Sequence, residues 1–109
     1  MTISLTDIDQ ILRSTGLPVA YLGWPDDDPD APDAPYIAYA EVGSNNFAAD
    51  GIVYFSARRI EAVLYTQLHN EAAHAAVETA LETAGIFWGK SQSYIQDQKL
   101  YETIYTMEV

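Results

Sequence analysis

The sequence predicts an α+β domain in which two helices pack on a mainly antiparallel sheet of four to six strands. Three observations carry the prediction. Apolar residues recur at helical spacing near the start and again over residues 70–85. Between and after these stretches lie runs rich in aromatic and β-branched residues, several of them alternating. The resulting order, α-β-β-β-β-α-β-β, groups the strands instead of interleaving them with helices, as in α+β folds. With 109 residues, 49% of them hydrophobic, the chain is expected to fold as a single domain over 1–109.

The first helix is expected over residues 5–15. Ser4 and Asp7 have capping-box spacing, Ile3 and Ile8 occupy the staple positions, and Ile8, Ile11 and Leu12 form a narrow apolar stripe. Gly16 is the expected left-handed terminator, and Pro18 forbids continuation. Val19 to Trp24 then reads as a strand opened by a proline, hence an edge strand. Residues 25–35 hold four prolines and Asp26, Asp27, Asp28, Asp30 and Asp33. Such a segment has too few backbone donors for a ladder and too little apolar surface to bury, so it reads as an exposed acidic loop.

Tyr36 to Val42 is a further strand, and Gly43 to Gly51 reads as a turn-rich connection through Ser44, Asn45, Asn46 and Asp50. Ile52–Ser56 and Arg59–Thr66 are expected as strands, joined either as a hairpin or as one bent strand. The second helix is bounded by Asn70 as N-cap and Gly85 as terminator. Ala73, Ala76, Val77, Ala80, Leu81 and Ala84 form its expected buried face, and Glu71, His74, Glu78 and Glu82 its wet face. After Ile86-Phe87-Trp88, residues 91–99 read as a polar linker leading to a last strand over residues 100–109. Along that strand Tyr101, Thr103, Tyr105, Met107 and Val109 face one way, and Leu100, Glu102, Ile104, Thr106 and Glu108 the other. Both faces carry apolar residues. Two helices cover one sheet face, so the second face is expected to meet a partner.

Charge and composition exclude several classes of function. Sixteen acids against five bases give a net charge of −11, which opposes ordinary nucleic-acid binding because such binders neutralise phosphates with clustered Lys and Arg. The absence of cysteine removes disulfides, thiolate nucleophiles and Cys-containing zinc sites. No run is long and apolar enough for a membrane span and the first residues lack an export signal, so a soluble protein made in the cytoplasm is expected.

No catalytic pattern is legible. His69, Glu71 and His74 form H-x-E-x-x-H, close to the H-E-x-x-H zinc motif, but the five-residue separation is expected to turn His69 away from His74. The aspartates of the 25–35 loop lack the glycine turn and distal glutamate of a calcium loop and read as a solvated, charge-extended segment. Phosphate-binding glycine loops, dinucleotide motifs and nucleophile elbows do not occur. Most of the tyrosines, including Tyr39, Tyr65 and Tyr105, are expected to pack their rings in strands and keep a hydroxyl wet. Phe47, in an otherwise polar loop, reads equally as an anchor under its own loop or a plug into a neighbour. No enzyme, cofactor or metal is expected.

Pro35-Tyr36-Ile37-Ala38-Tyr39, Ser44 to Asp50 and Ile60 to Thr66 resemble a family of small phage and prophage structural proteins of Gram-positive hosts. Ala84-Gly85-Ile86-Phe87, Tyr94-Ile95 and Lys99 to Tyr105 are similar in order and spacing to that family's closing segment. The family is that of tail-completion or tail-terminator proteins of long-tailed phages. The resemblance implies a sheet with flanking helices and a homo-oligomeric ring, a hexamer, that caps the tail tube and contacts tube and connector proteins. It implies assembly in the host cytoplasm and a place in the virion at the head–tail junction. An acidic lumen would let duplex DNA pass without gripping it. The candidate contacts are the sheet edges, the loop residues Asn45, Asn46, Phe47 and Asp50, Tyr94, and the free face of the last strand at Leu100 and Ile104. Alternatives are a head-side connector or stopper, and a small acidic regulatory module that mimics DNA.

Overall fold

Ser4 does what its spacing with Asp7 predicts: its hydroxyl accepts from the Asp7 N–H at 3.1 Å, and the Asp7 carboxylate accepts from the Ser4 N–H at 3.0 Å. In this computed structural model, which describes residues 3–25, 28–49 and 52–109 and gives only the backbone over 44–49 and 52–57, the box opens helix α1 (Leu5–Arg13). Gly16, at φ +84°, supplies the left-handed turn that ends it. Strand β1 (Val19–Tyr21) follows, then β2 (Tyr36–Ala49), β3 (Ile52–Thr66), helix α2 (Glu71–Thr83), β4 (Trp88–Ile95) and β5 (Leu100–Glu108). The class is α+β, with two helices and one five-stranded sheet in the order β1-β2-β3-β5-β4. All pairings are antiparallel except β1 with β2, which makes β1 a short parallel edge.

Both helices lie on one face of the sheet. Ile8 and Leu12 of α1 and Val77 and Leu81 of α2 share a core with Ile37, Ile60, Leu64, Tyr105 and Met107, all at most 2% exposed. Each side chain of that size taken out of water contributes about 1.5–3 kcal/mol, so this layer holds the fold together. Polar links join the same layers: the Tyr39 hydroxyl donates to Asp9 of α1 at 2.9 Å, and the Tyr105 hydroxyl donates to Glu78 of α2 at 2.8 Å.

Several expectations are corrected. The stretch from Gly43 to Ala49 is strand, not a turn-rich connection, because β2 keeps a pairing partner along β3 and strand propensity yields to pairing. The option of one continuous strand holds for Ile52–Thr66. Residues 91–95, expected as linker, belong to β4; an edge strand with both faces wet carries no alternation to reveal it. His74 is on the buried side of α2, not the wet one, with its Nε2 3.1 Å from Thr103 Oγ1. The buried row of α2 runs through Ala73, Val77 and Leu81 as expected, while Ala84 is exposed and Ala76 and Ala80 are half-buried. Ala76 and Ala80 instead line a groove against Ile11 of α1 and Thr15 just beyond its end. Tyr39 and Tyr105 do not keep their hydroxyls wet but satisfy them on helix carboxylates.

Candidate subunit interface

The face of the sheet opposite the helices has no layer of secondary structure over it among the described residues. Its composition follows from register. Ala38 of β2 lies beside Val63 of β3, which lies beside Ile104 of β5 and then Ser91 of β4. The next row on one side is Tyr36, Tyr65, Glu102 and Ser93, and on the other Ala40, Glu61, Thr106 and Gly89. A central apolar row is thus flanked by carboxylates, and the strand members from β2, β3 and β5 are half-buried. Leu100 and Ile104 stand on this face, as expected from the alternation of the last strand. Tyr94 does not join them: register pairs it with Tyr101 on the helix side, where the two rings lie 4.9 Å apart.

One corner of the open face is built up by the 22–35 segment. Trp24 meets Tyr36 edge-on at 5.4 Å, and Tyr36 stacks on Tyr65 at 5.1 Å. Ala31 and Pro32 fold back toward these rings, so the acidic loop is not free along its whole length; with Leu100 and Gln98 they enclose a cleft of about 510 Å³. Burial pushes the Tyr65 phenol up, and the nearby Glu102 and Tyr36 add to the effect. Sequence reasoning missed this aromatic row, although the hydrogen-bonded register that places Tyr36 beside Tyr65 follows once the strands are aligned. In the loop, the Asp28 carboxylate accepts from the Asp30 N–H at 2.9 Å, which makes it a local turn cap. Asp26 and Asp27 lie outside the described residues.

The second element of the candidate interface is an arm. β5 pairs with β3 only over Arg59–Thr66, and the ladder closes with reciprocal 2.9 Å backbone bonds between Arg58 and Val109. β1 pairs with β2 only over Ile37–Tyr39. Residues 44–49 and 52–57 therefore pair with each other alone among the described residues, as a two-stranded ribbon continuing past the sheet. Fifteen residues of β3 at about 3.3 Å each reach roughly 50 Å, which accounts for the 49 Å long axis of the molecule. The ladder of the ribbon is interrupted by register shifts after Glu41 and after Phe47. Asn45, Asn46 and Phe47 lie in this arm, opposite Ala57, Ser56 and Phe55. Their side chains, like all of Asp50, lie outside the described residues.

His69 precedes α2 as expected, yet its ring meets that of His74 edge-on at 5.4 Å, because the extended residue Asn70 between them brings the chain back over the helix start. The pair does not converge with a third ligand: among the described residues no three His, Asp or Glu side chains are placed to hold a metal ion. No helix among them is long and apolar enough to cross a membrane. No family model matches the chain, and no curated protein matches it.

Proposed function

We propose that this chain is a non-enzymatic structural subunit that assembles with copies of itself into a ring of the tail-terminator or tail-completion kind, at the head–tail junction of a long-tailed phage. The observation that carries the reading is the open sheet face. A row of Ala38, Val63 and Ile104 between carboxylates is what a protein–protein contact uses, and it offers no converging acid, base and nucleophile for chemistry. The resemblance in strand and loop wording supplies the assembly, its six copies and its tube and connector partners. Charge is consistent with it, since a ring of subunits each carrying −11 repels duplex phosphates and lets DNA slide.

The test is electron microscopy of the purified protein mixed with tail tubes. Rings seated on tube ends are the expected result. A protein that stays monomeric by light scattering at high concentration, with magnesium and tube protein present, overturns the reading. A head-side connector places the same rings on portal complexes and leaves tube ends bare.

A further inference from the structure

Resting on the ring reading above, we propose that copies join by strand addition: the outer edge of β4 in one copy pairs with the outer edge of the β2 arm, beyond Tyr39, in the next.

Each partner edge is open for a definite reason. β4 pairs with β5 in unbroken register from Trp88–Met107 to Ile95–Leu100, and among the described residues its other side has no strand beside it. Edge strands are normally blunted by proline, a bulge or an outward charge, because their free N–H and C=O groups invite a further strand. β4 has no proline and no bulge. Its single charge, Lys90, is turned to the helix side, where Nζ donates to Glu78 at 2.9 Å. The edge is undefended, as strand addition requires. On the far margin of the sheet, β2 loses its β1 neighbour after Tyr39 and runs on to Ala49.

The arm itself points to a second copy. A two-stranded ribbon is marginal at best in water, so residues 44–49 and 52–57 need neighbours that the other described residues of their own chain do not supply. The arm does not reach its own β4: the two edges are on opposite margins of one sheet, three strand spacings or about 14 Å apart and facing away from each other. Lengths agree, eight residues in β4 against the eight from Val42 to Ala49. So does charge. In a chain of net −11, copies repel except where segments without acid meet, and neither β4 nor residues 42–49 contains Asp or Glu. Every copy then carries one edge of each kind, which makes the contact heterologous and lets repetition close a ring.

The test exploits the absence of cysteine from the chain. Asn46→Cys and Gln92→Cys variants are prepared separately and treated with a short bismaleimide, alone and mixed. The expected result is a crosslinked dimer at least about tenfold more abundant in the mixture than in either variant alone, as a heterologous contact demands. Crosslinking of either variant chiefly to itself overturns the pairing. A second variant excises 44–57 and joins Gly43 to Arg58 through an Asn-Gly turn. It is expected to keep native circular dichroism and to be monomeric by light scattering. If it assembles like the intact chain, strand addition is wrong and the ring reading stands; if the intact chain is itself only monomeric, both fall.

Discussion

The phenol of Tyr105 and the carboxylate of Glu78 join sheet to helix: the hydroxyl donates to Oε2 at 2.8 Å, and Lys90 donates to the same oxygen at 2.9 Å. Tyr105 is fully buried and Glu78 sits at the margin of the helix–sheet layer. Burial pushes the Glu78 carboxyl up, but the hydrogen bonds from Lys90 and Tyr105 outweigh it and leave it below 4.5. The Tyr105 hydroxyl is pushed far up by burial and by that carboxylate, so it stays a donor throughout the working range. Tyr105→Phe is therefore expected to cost about 1.5–3 kcal/mol, the range for a hydrogen bond to a charged group. Urea unfolding near neutral pH checks the loss. Because the lost bond brings the Glu78 pKa closer to its unfolded value, the part of the stability that Glu78 forfeits in acid should also be smaller in the variant than in the unaltered chain.

His74 gives the fold a second pH dependence, of definite sign. Burial lowers its pKa below 6.5, Lys90 and His69 lower it further, and Glu78 and Glu71 act in opposition. The unfolded chain therefore takes up the proton first. Stability is whole above 6.5 and falls as the pH drops through the folded value, after which the Glu78 contribution is lost below 4.5. The urea midpoint should hold steady above the unfolded value of 6.5 and decline as the pH falls below it. In His74→Gln the decline over that upper window should be much reduced. An equal slope in the variant assigns it to some other group.

How far the sequence revealed this molecule depends on whether burial left a pattern in it. α1 was legible because Ser4, Asp7, Ile8, Leu12 and Gly16 each act through local chemistry. Ile60, Ala62 and Leu64, and likewise Thr103, Tyr105 and Met107, were legible as single faces because the helices bury every second residue. β4 was not, since both its faces are wet and Ser91, Gln92 and Ser93 alternate with nothing. The arm was not, since Ser44, Asn45 and Asn46 favour turns and only pairing with a distant segment makes them strand. His74 was misplaced for a related reason. Glutamates three positions before it and four after imitate a solvated stripe, and its buried partner, Thr103, is 29 residues away. On the open face, Leu100 and Ile104 could be placed by alternation; the row of Trp24, Tyr36 and Tyr65 needed the register.

The open face can be tested apart from the fold. Val63 and Ile104 are half-buried neighbours in its central row, with Glu61 and Glu102 close by. Ile104→Glu adds a third carboxylate to that surface without entering the helix-side core. The expected outcome is a folded chain that loses no more than about 1 kcal/mol in urea; if this face is the contact proposed above, the proposed tail-tube capping is abolished, because a contact centre does not tolerate an unpaired charge. Capping that survives in Ile104→Glu removes this face from the contact.

Leu22 holds a conformation that its side chain opposes. Its φ is +64°, fixed by a 2.8 Å bond from its N–H to the Tyr39 carbonyl, and the side chain is 74% exposed. The left-handed region costs an ordinary residue roughly 1–2 kcal/mol, and asparagine considerably less. Leu22→Asn should therefore stabilise the isolated chain by about 1 kcal/mol, which for a domain of this size raises the melting temperature by about 4–8 °C. Calorimetry checks the gain. A fall in melting temperature would show that Leu22, at the rim of the aromatic cleft, contributes packing that exceeds its strain.

Two buried threonines separate the worth of a hydroxyl from the worth of its methyl. Thr66 and Thr103 are both at most 1% exposed and both face the helices, on β3 and β5. Thr103 Oγ1 lies 3.1 Å from His74 Nε2 and accepts from Gln92 at 3.4 Å, whereas Thr66 Oγ1 has no hydrogen-bond partner among the described residues. Valine keeps the shape of either side chain and removes only the hydroxyl. At Thr66 that relieves a desolvated group, so Thr66→Val should stabilise by about 1 kcal/mol; at Thr103 it strands a ring nitrogen, so Thr103→Val should destabilise by about 1–3 kcal/mol. The two urea midpoints should move in opposite directions. A shared direction would mean that packing at these sites, and not hydrogen bonding, sets the difference, and in Thr103→Val the pH slope assigned to His74 should change with it.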